Sequence, residues 1–389
     1  MAITLRKFVR LRNPMLLWLS VFIVVSIIYR LVGYSSADMG NYSHTILMLI
    51  SIWMGMYMWK YESNRNRKVV FWVFIITFLV NIFYSIQIRV MFPEFADALR
   101  QSEEMMSQYG KLNIGSTEYT YCAMFMAVFA FIYLFRIEYK ERIMPKSLFL
   151  VIFVFLFYFI VVYGLSATAL LSLLCSILGL MFFIKGKEGL SLLFIVFLLV
   201  IFPILSLYSR EIISFVTEVA GEKIGSRIAA IFNVSSNRGK DDEGLFSRIP
   251  MLWYDIKYWF SDIQSFLFGW GYHTYGSAWD GVQDLLARNK NGGHSAIMDV
   301  LPKYGLFGLT FLYFFISSYW KYIKRTFGSV SKEIGVVIFI LVIFNNIVNK
   351  TLQPNVIFIL SFIYPLLTFN VKHGGEDFVL RKKNSEIDR

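Results

Sequence analysis

Apolar residues in this 389-residue chain are gathered into long runs, and polar residues into short clusters between them. The runs lie near 14–33, 43–59, 69–86, 118–135, 147–164, 168–184, 190–208, 304–320, 334–348 and 355–370. A helix of about 20 apolar residues crosses the roughly 30 Å hydrocarbon core of a bilayer, and the runs recur near that length. The pattern predicts an all-α polytopic membrane protein of ten spans, a single domain over 1–389 without internal repeats. The first run, Pro14 to Val32, is too long for a signal-peptide h-region and ends in no clean small-residue cleavage site, so it reads as an uncleaved first span. The segment 209–303 breaks the pattern between spans seven and eight. Structureless loops rarely exceed about 15 residues. This one is far longer and is neither low-complexity nor strongly polar, and its tryptophans predict short helices lying on the membrane surface.

Charge orients the spans. An even number of crossings puts both termini on one side. The segments 1–13, 60–68, 136–146, 185–189, 321–333 and 371–389 hold 4, 4, 4, 2, 4 and 5 Lys+Arg. The opposite segments, together roughly twice as long, hold 14, mostly in the long loop, where charge has little bearing on orientation. Both termini are therefore expected in the cytoplasm. Composition agrees, with 57% apolar residues and only 16% charged, more apolar surface than a soluble domain of this size needs. The net charge of +12 lies largely in short inter-span segments, which argues against nucleic acid as the partner. Cys122 and Cys175 fall inside apolar runs and imply no disulfide framework.

Three pieces of the long loop carry candidate chemistry. Leu245, Ile249, Leu252, Ile256 and Trp259 recur at steps of three and four, one face of a helix. Pro250 belongs in a first turn, so that helix should start near Ser247 or Ile249 with Arg248 beside its free N–H groups. A guanidinium there suits a phosphate, and it equally suits snorkelling to lipid headgroups. Next, Gly269-Trp270-Gly271 implies a tight turn with close backbone approach. Finally, two glycines precede His294, and Pro302 follows. A short helix from about 294 to 301, a kink at the proline and then the eighth span is the expectation. His294 would sit at a helix N-terminus, whose partial positive charge opposes imidazolium and favours a neutral ring able to accept a proton. A surface histidine capping its own helix is the other reading.

Taken in order, Ser247-Arg248 with Trp253, Gly269-Trp270-Gly271, His294-Ser295 and Gly305-Leu306-Phe307-Gly308 resemble the pattern of the O-antigen polymerase and O-antigen ligase superfamily of bacterial envelope glycosyltransferases. The detailed resemblance covers 244–308, and the topological one the whole chain. It implies a GT-C-like fold in the bacterial inner membrane and transfer of a growing glycan from an undecaprenyl diphosphate carrier to another lipid-linked repeat unit. Under that resemblance His294 is the base for the acceptor hydroxyl, and Arg248 with one or more of Arg210, Arg227, Arg238 and Arg288 holds the diphosphate as the glycosidic bond breaks. Trp270, Tyr272 and Trp279 are candidates for stacking on sugars, or for anchoring at the interface. One departure is Ser166-Ala167-Thr168, where the family often has a Ser-Arg pair; if that arginine holds phosphate in the family, another residue must substitute here, with Arg210, Arg227, Arg238 and Arg288 the candidates. His-Ser with Asp299 five residues on looks more like the polymerase and capsule branch than the ligase branch.

Asp241-Asp242-Glu243 resembles a solvated turn more than a cation cage. Arginines can neutralise a diphosphate, so no metal and no other cofactor is expected. Partners would be the lipid-linked glycans, membrane lipids and a polysaccharide chain-length regulator. Competing assignments are a ligase acting on lipid A core or protein, a ten-span peptidoglycan polymerase, and a lipid-linked oligosaccharide flippase. Transporters usually bury ionisable residues near the midplane of their spans, and these spans are nearly free of charge.

Overall fold

A computed structural model describes residues 13–31, 39–91, 117–135, 137, 143–163, 167–182, 209–220, 225, 256–257, 259–260, 263–269, 295, 297–298, 300–328, 331–348, 351 and 353–368. These residues contain helices and turns and no strand. In chain order the helices are α1 (Pro14–Leu31), α2 (Met39–Tyr61), α3 (Asn64–Met91), α4 (Thr117–Phe135), α5 (Lys146–Tyr158, continued by a π-helical turn Phe159–Tyr163) and α6 (Ala167–Phe182). They continue with α7 (Ser209–Ala220), α8 (Ile263–Phe268), α9 (Val300–Phe327), α10 (Lys332–Val348) and α11 (Pro354–Phe358, extended by Ile359–Ile363 and Tyr364–Thr368). The apolar run at 190–208 lies outside the described residues.

Three stretches among the described residues are long and apolar enough to cross a membrane: Asn64–Ile88, Lys146–Tyr163 and Val300–Phe327. Shorter apolar helices occupy Pro14–Tyr29, Tyr119–Phe135, Thr168–Met181 and Pro354–Thr368. The two faces of α3 show which solvent the bundle suits. Phe71, Ile75, Phe78 and Ile82 are buried against the core, while Val69, Val73, Ile76, Val80 and Phe83 form an equally apolar stripe on the outside. Water would favour polar residues on that outer face; hydrocarbon does not.

At the centre stands α4. Every side chain from Thr120 to Leu134 is buried, which requires neighbours on all sides. α5 and α6 pack on it, as does α11. Phe129 meets Phe71, Phe149 and Tyr364, and the Tyr364 hydroxyl donates to the Phe125 carbonyl at 2.9 Å. α2 is held against α11 by close approach of small residues. A Cβ on Gly55 would collide with Ser361, whose Oγ donates to the Ser51 carbonyl at 3.2 Å. Such small-residue contacts are a common way for helices to associate where lipid supplies no hydrophobic drive.

Arg67 closes the corner between α2 and α3. Its guanidinium donates to the Met58 and Trp59 carbonyls and to the Asn64 side chain, and lies 4.7 Å from the Trp59 ring centre. The last carbonyls of a helix have no partner within it, so this cation satisfies them and opposes the partial negative charge there.

The entry to α9 differs from the sequence expectation. The chain makes tight turns at Ile297 and Met298, with Val300 N–H donating to the Ile297 carbonyl at 3.2 Å and Leu301 N–H to Met298 at 3.1 Å. The helix begins at Val300, and Pro302 sits in its first turn, where a missing N–H costs nothing. The break in the helix comes at Gly305 (φ 57°, ψ −137°), not at the proline.

Candidate functional site

The glycine break is explained by what lies against it. Helix α8 ends at Gly269, whose φ of 74° puts it in the left-handed conformation common just past a helix end, and whose N–H donates to the Ser265 carbonyl at 2.9 Å. A Cβ on Gly269 would lie 2.5 Å from the Lys303 carbonyl oxygen and from the Tyr304 nitrogen. In the opposite direction, a Cβ on Gly305 would lie 2.6 Å from the Gly269 nitrogen and 2.7 Å from the Leu267 carbonyl oxygen. A Cβ on Gly308 would run into the Val300 carbonyl, because the break at Gly305 turns the opening of α9 back on itself. The two glycine motifs thus meet backbone to backbone.

Side chains reinforce the junction. Trp259 is buried and donates through Nε1 to the Phe266 carbonyl at 3.1 Å, with the Trp259 and Phe266 rings stacked at 5.5 Å. From α1, the Tyr29 hydroxyl donates to the Phe268 carbonyl at 2.7 Å, and Ser26 shares a 2.8 Å hydrogen bond with the Tyr304 hydroxyl.

Ser295 docks on the last turn of α10. Ser295 is 1% exposed, and its hydroxyl donates to the Asn346 carbonyl at 3.1 Å while accepting the Met298 N–H at 2.9 Å. Ile297 N–H donates to the same carbonyl at 3.1 Å. Asn346 itself donates to the Val342 carbonyl at 2.7 Å and accepts the Thr351 N–H at 3.3 Å. The adjacent Asn345 accepts from the Ser172 hydroxyl at 3.0 Å, tying α10 to α6. A buried asparagine is tolerable only when its amide is satisfied: both amide NH2 groups donate into their own helix, Asn345 to the Leu341 carbonyl and Asn346 to Val342, and their Oδ1 atoms accept from Ser172 and Thr351, while Ser295 and Ile297 are held by the main-chain carbonyl of Asn346.

Below this junction a cavity of about 480 Å³ opens between α1, α2, α9, α10 and α11. Its walls are mainly apolar, with Leu19 and Phe22 from α1, Met48 and Ile52 from α2, Phe311, Leu312 and Phe315 from α9, and Ile357 from α11. Ser295, Lys303, Asn346 and Gln353 line the end nearest the junction. Lys303 is 8% exposed, a charged side chain almost wholly withdrawn from solvent.

Of the side chains singled out in the sequence, His294, Arg248, Arg227, Arg238, Arg288, Trp270, Tyr272 and Trp279 lie outside the described residues. So do Asp299 and the acidic run 241–243. Arg210 is in α7 by its backbone, and its side chain is not described. The motif residues that are described, Gly269, Ser295, Gly305 and Gly308, gather at one end of α9. Sequence reasoning passed over Lys303 and Asn346. The signal for Lys303 was a lone cation between Pro302 and a long apolar helix; for Asn346 it was an amide pair closing an otherwise apolar run. Among the described residues no three His, Cys, Asp or Glu side chains cluster as metal ligands.

Fold and site together define a class: a chain whose described residues are helical, with helices long and apolar enough to cross a membrane, carrying a mainly apolar cavity between them. No protein-family model matches the chain, and no curated protein does.

Proposed function

We propose that this chain is a ten-span glycosyltransferase of the bacterial inner membrane, with both termini cytoplasmic, that joins undecaprenyl-diphosphate-linked repeat units into O-antigen or capsular polysaccharide. The observation that carries the proposal is the backbone-to-backbone contact of Gly269 with Gly305 at the end of α9, beside the segment in which Ser295 is anchored to α10. Gly269 and Gly305 belong to two motifs 36 residues apart in the segment that resembles the polymerase family, and two unrelated loose motifs have no reason to pack together. On the proposed topology this end faces away from the cytoplasm, where a lipid carrier presents its glycan.

In the reaction, an acceptor sugar hydroxyl attacks the anomeric carbon of the donor glycan, and the bond from that carbon to the carrier's diphosphate oxygen breaks. The diphosphate leaves with the bonding electrons. Arg248 and its companions among Arg210, Arg227, Arg238 and Arg288 stabilise that charge, and His294, covalently next to the anchored Ser295, takes the hydroxyl proton. A positioned base contributes about 10²- to 10⁴-fold.

The test is reconstitution of the purified protein with a lipid-diphosphate repeat unit, with products resolved by size. The wild type should build a ladder, and His294→Ala should insert normally yet leave single repeats; a normal ladder from that variant would remove the histidine from the mechanism. The cavity gives a lipid-linked oligosaccharide flippase one observation in its favour. A flippase makes no glycosidic bond in this assay, and its deletion strands repeats on the cytoplasmic side. Loss of a polymerase instead leaves one repeat on the cell surface, and loss of a ligase leaves none.

A further inference from the structure

Helix α8 is inside out for a segment surrounded by water. Of its six residues, the one turned fully into the protein is a serine, Ser265, which is 3% exposed. Phe266 beside it is partly buried against Trp259. The opposite side shows Ile263, 79% exposed, together with Leu267 and Phe268, and the helix carries no charge. Ile263 and Leu267 are four residues apart and share a face. Phe260, just ahead of the helix, is exposed as well. A short helix in water buries its apolar side and shows its polar one. A cluster of exposed apolar side chains marks contact with lipid or with another protein.

Two observations favour lipid. The first is continuity. Gly305, where the backbone of α8 meets α9, is followed by Leu306, and Leu306, Leu309 and Tyr313 form an exposed apolar stripe on a helix long and apolar enough to cross a membrane. The face of α8 prolongs that stripe. The second is depth. Beyond the break at Gly305, α9 carries no charged residue until Lys321, whose side chain is exposed. At 1.5 Å per residue, Gly305 lies about 24 Å along the axis from Lys321, short of the roughly 30 Å thickness of the hydrocarbon. Tilt shortens the separation further. With Lys321 at one boundary of the hydrocarbon, the level of Gly305 and α8 is just inside the other.

We infer that α8 is immersed in one leaflet of the bilayer, with Phe260, Ile263, Leu267 and Phe268 against phospholipid acyl chains, and that this contact holds the Gly269–Gly305 junction at the edge of the hydrocarbon. The residues that touch lipid are not the loop's tryptophans, the usual interfacial anchors, since Trp259 turns inward. Apolar contact of this kind sets the depth of a helix lying in an interface, and the backbone contact at Gly305 passes that depth to α9. The inference holds on whichever side of the membrane α8 lies, and it makes no use of the proposed transferase activity.

Two probes on the full-length wild-type protein in phosphatidylcholine vesicles test the inference, with modified residues mapped by mass spectrometry. One is phosphatidylcholine carrying a diazirine midway along an acyl chain; the other is hydroxyl radical generated in the water. Acyl-chain adducts on Ile263, Leu267 or Phe268 should come within about threefold of those on Leu309 and Tyr313, and exceed any on Trp259 by about tenfold. Oxidation of the same three residues should be no greater than that of Leu309. Strong oxidation without adducts would put the face in water, and protection from both probes would put protein on it, a second copy of this chain included; either result overturns the inference. A diazirine moved to the choline headgroup reads the depth. More adducts on α8 from that lipid than from the acyl-chain probe would raise the helix above the hydrocarbon and likewise overturn it. Finally, Ile263→Asp combined with Leu267→Asp places two carboxylates in lipid, and should lower Phe268 adducts about fivefold while leaving those on Tyr313 unchanged. Undiminished labelling of Phe268 would show that the apolar face is not what holds the junction at that depth.

Discussion

Replacing Gly305 with alanine perturbs the junction where the motifs meet, and the structure sets the size of the effect. An alanine at φ 57° and ψ −137° lies outside the left-handed helical well, in a region essentially reserved for glycine, and costs about 1–3 kcal/mol. The same Cβ would lie 2.6–2.7 Å from the Gly269 nitrogen and the Leu267 carbonyl. Those are backbone atoms, so no rotamer change can relieve the clash; α8 must shift as a unit, at a further cost of about 1–3 kcal/mol. Gly305→Ala should therefore lower stability by about 2–6 kcal/mol, and Gly269→Ala, whose Cβ meets the Lys303 and Tyr304 backbone from the other side, by a similar amount. Both substitutions push the same two segments apart. The double variant should then cost less than the sum of the singles, by about 0.5–3 kcal/mol. Gly335→Ala is the control. Its nearest neighbour would be the Ile323 side chain at 3.2 Å, which can yield, and its stability should change by less than about 1 kcal/mol. Reversible denaturation in mixed detergent micelles measures all four variants. A Gly305→Ala protein as stable as the wild type, or a double variant with strictly additive losses, would refute the backbone contact.

Three further outcomes are expected. Ser295→Ala removes the hydroxyl that links the Asn346 carbonyl to the Met298 N–H; it should cost about 1–2 kcal/mol and reduce polymer length in the reconstituted assay, and full activity would show that this anchor does not position its neighbour. Arg67→Ala strips partners from the end of α2 and should lower stability by about 1–3 kcal/mol, without changing activity per folded molecule; Arg67→Lys, which lacks the fork, should recover less than half of the loss. Arg248→Lys keeps a charge and loses bidentate geometry, so transfer rate should fall sharply while insertion is unchanged, and a mild effect would favour a lipid-headgroup role.

Much of the helical framework was legible along the chain. The runs at 43–59 and 69–86 became α2 (Met39–Tyr61) and α3 (Asn64–Met91), each longer than its run because the polar residues at its ends extend the helix beyond the apolar stretch. The loop tryptophan at 259 proved to be packing material, buried and hydrogen-bonded to Phe266. The nearness of Gly269 to Gly305 was implied only loosely, as two places where backbone approaches something closely. Neither motif says what it approaches. The sequence points to Pro302 for the kink, since proline breaks a helix interior; with the helix starting at Val300 the same residue is harmless, and the positive φ at Gly305 makes the break.

Helices and their apolar character are local properties, written residue by residue in hydropathy and in the positions of glycine and proline, and the sequence by itself determined them. The depth of α4, the burial of Lys303 at the mouth of a cavity, and the use of Asn346 as a dock for Ser295 come from pairings between segments far apart in the chain. Hydropathy cannot supply those pairings, because in helices such as α3, apolar on the outward face as well as the inward one, no stripe announces which side turns inward. Only tertiary packing decides that, through shape and through the need to satisfy each buried polar group.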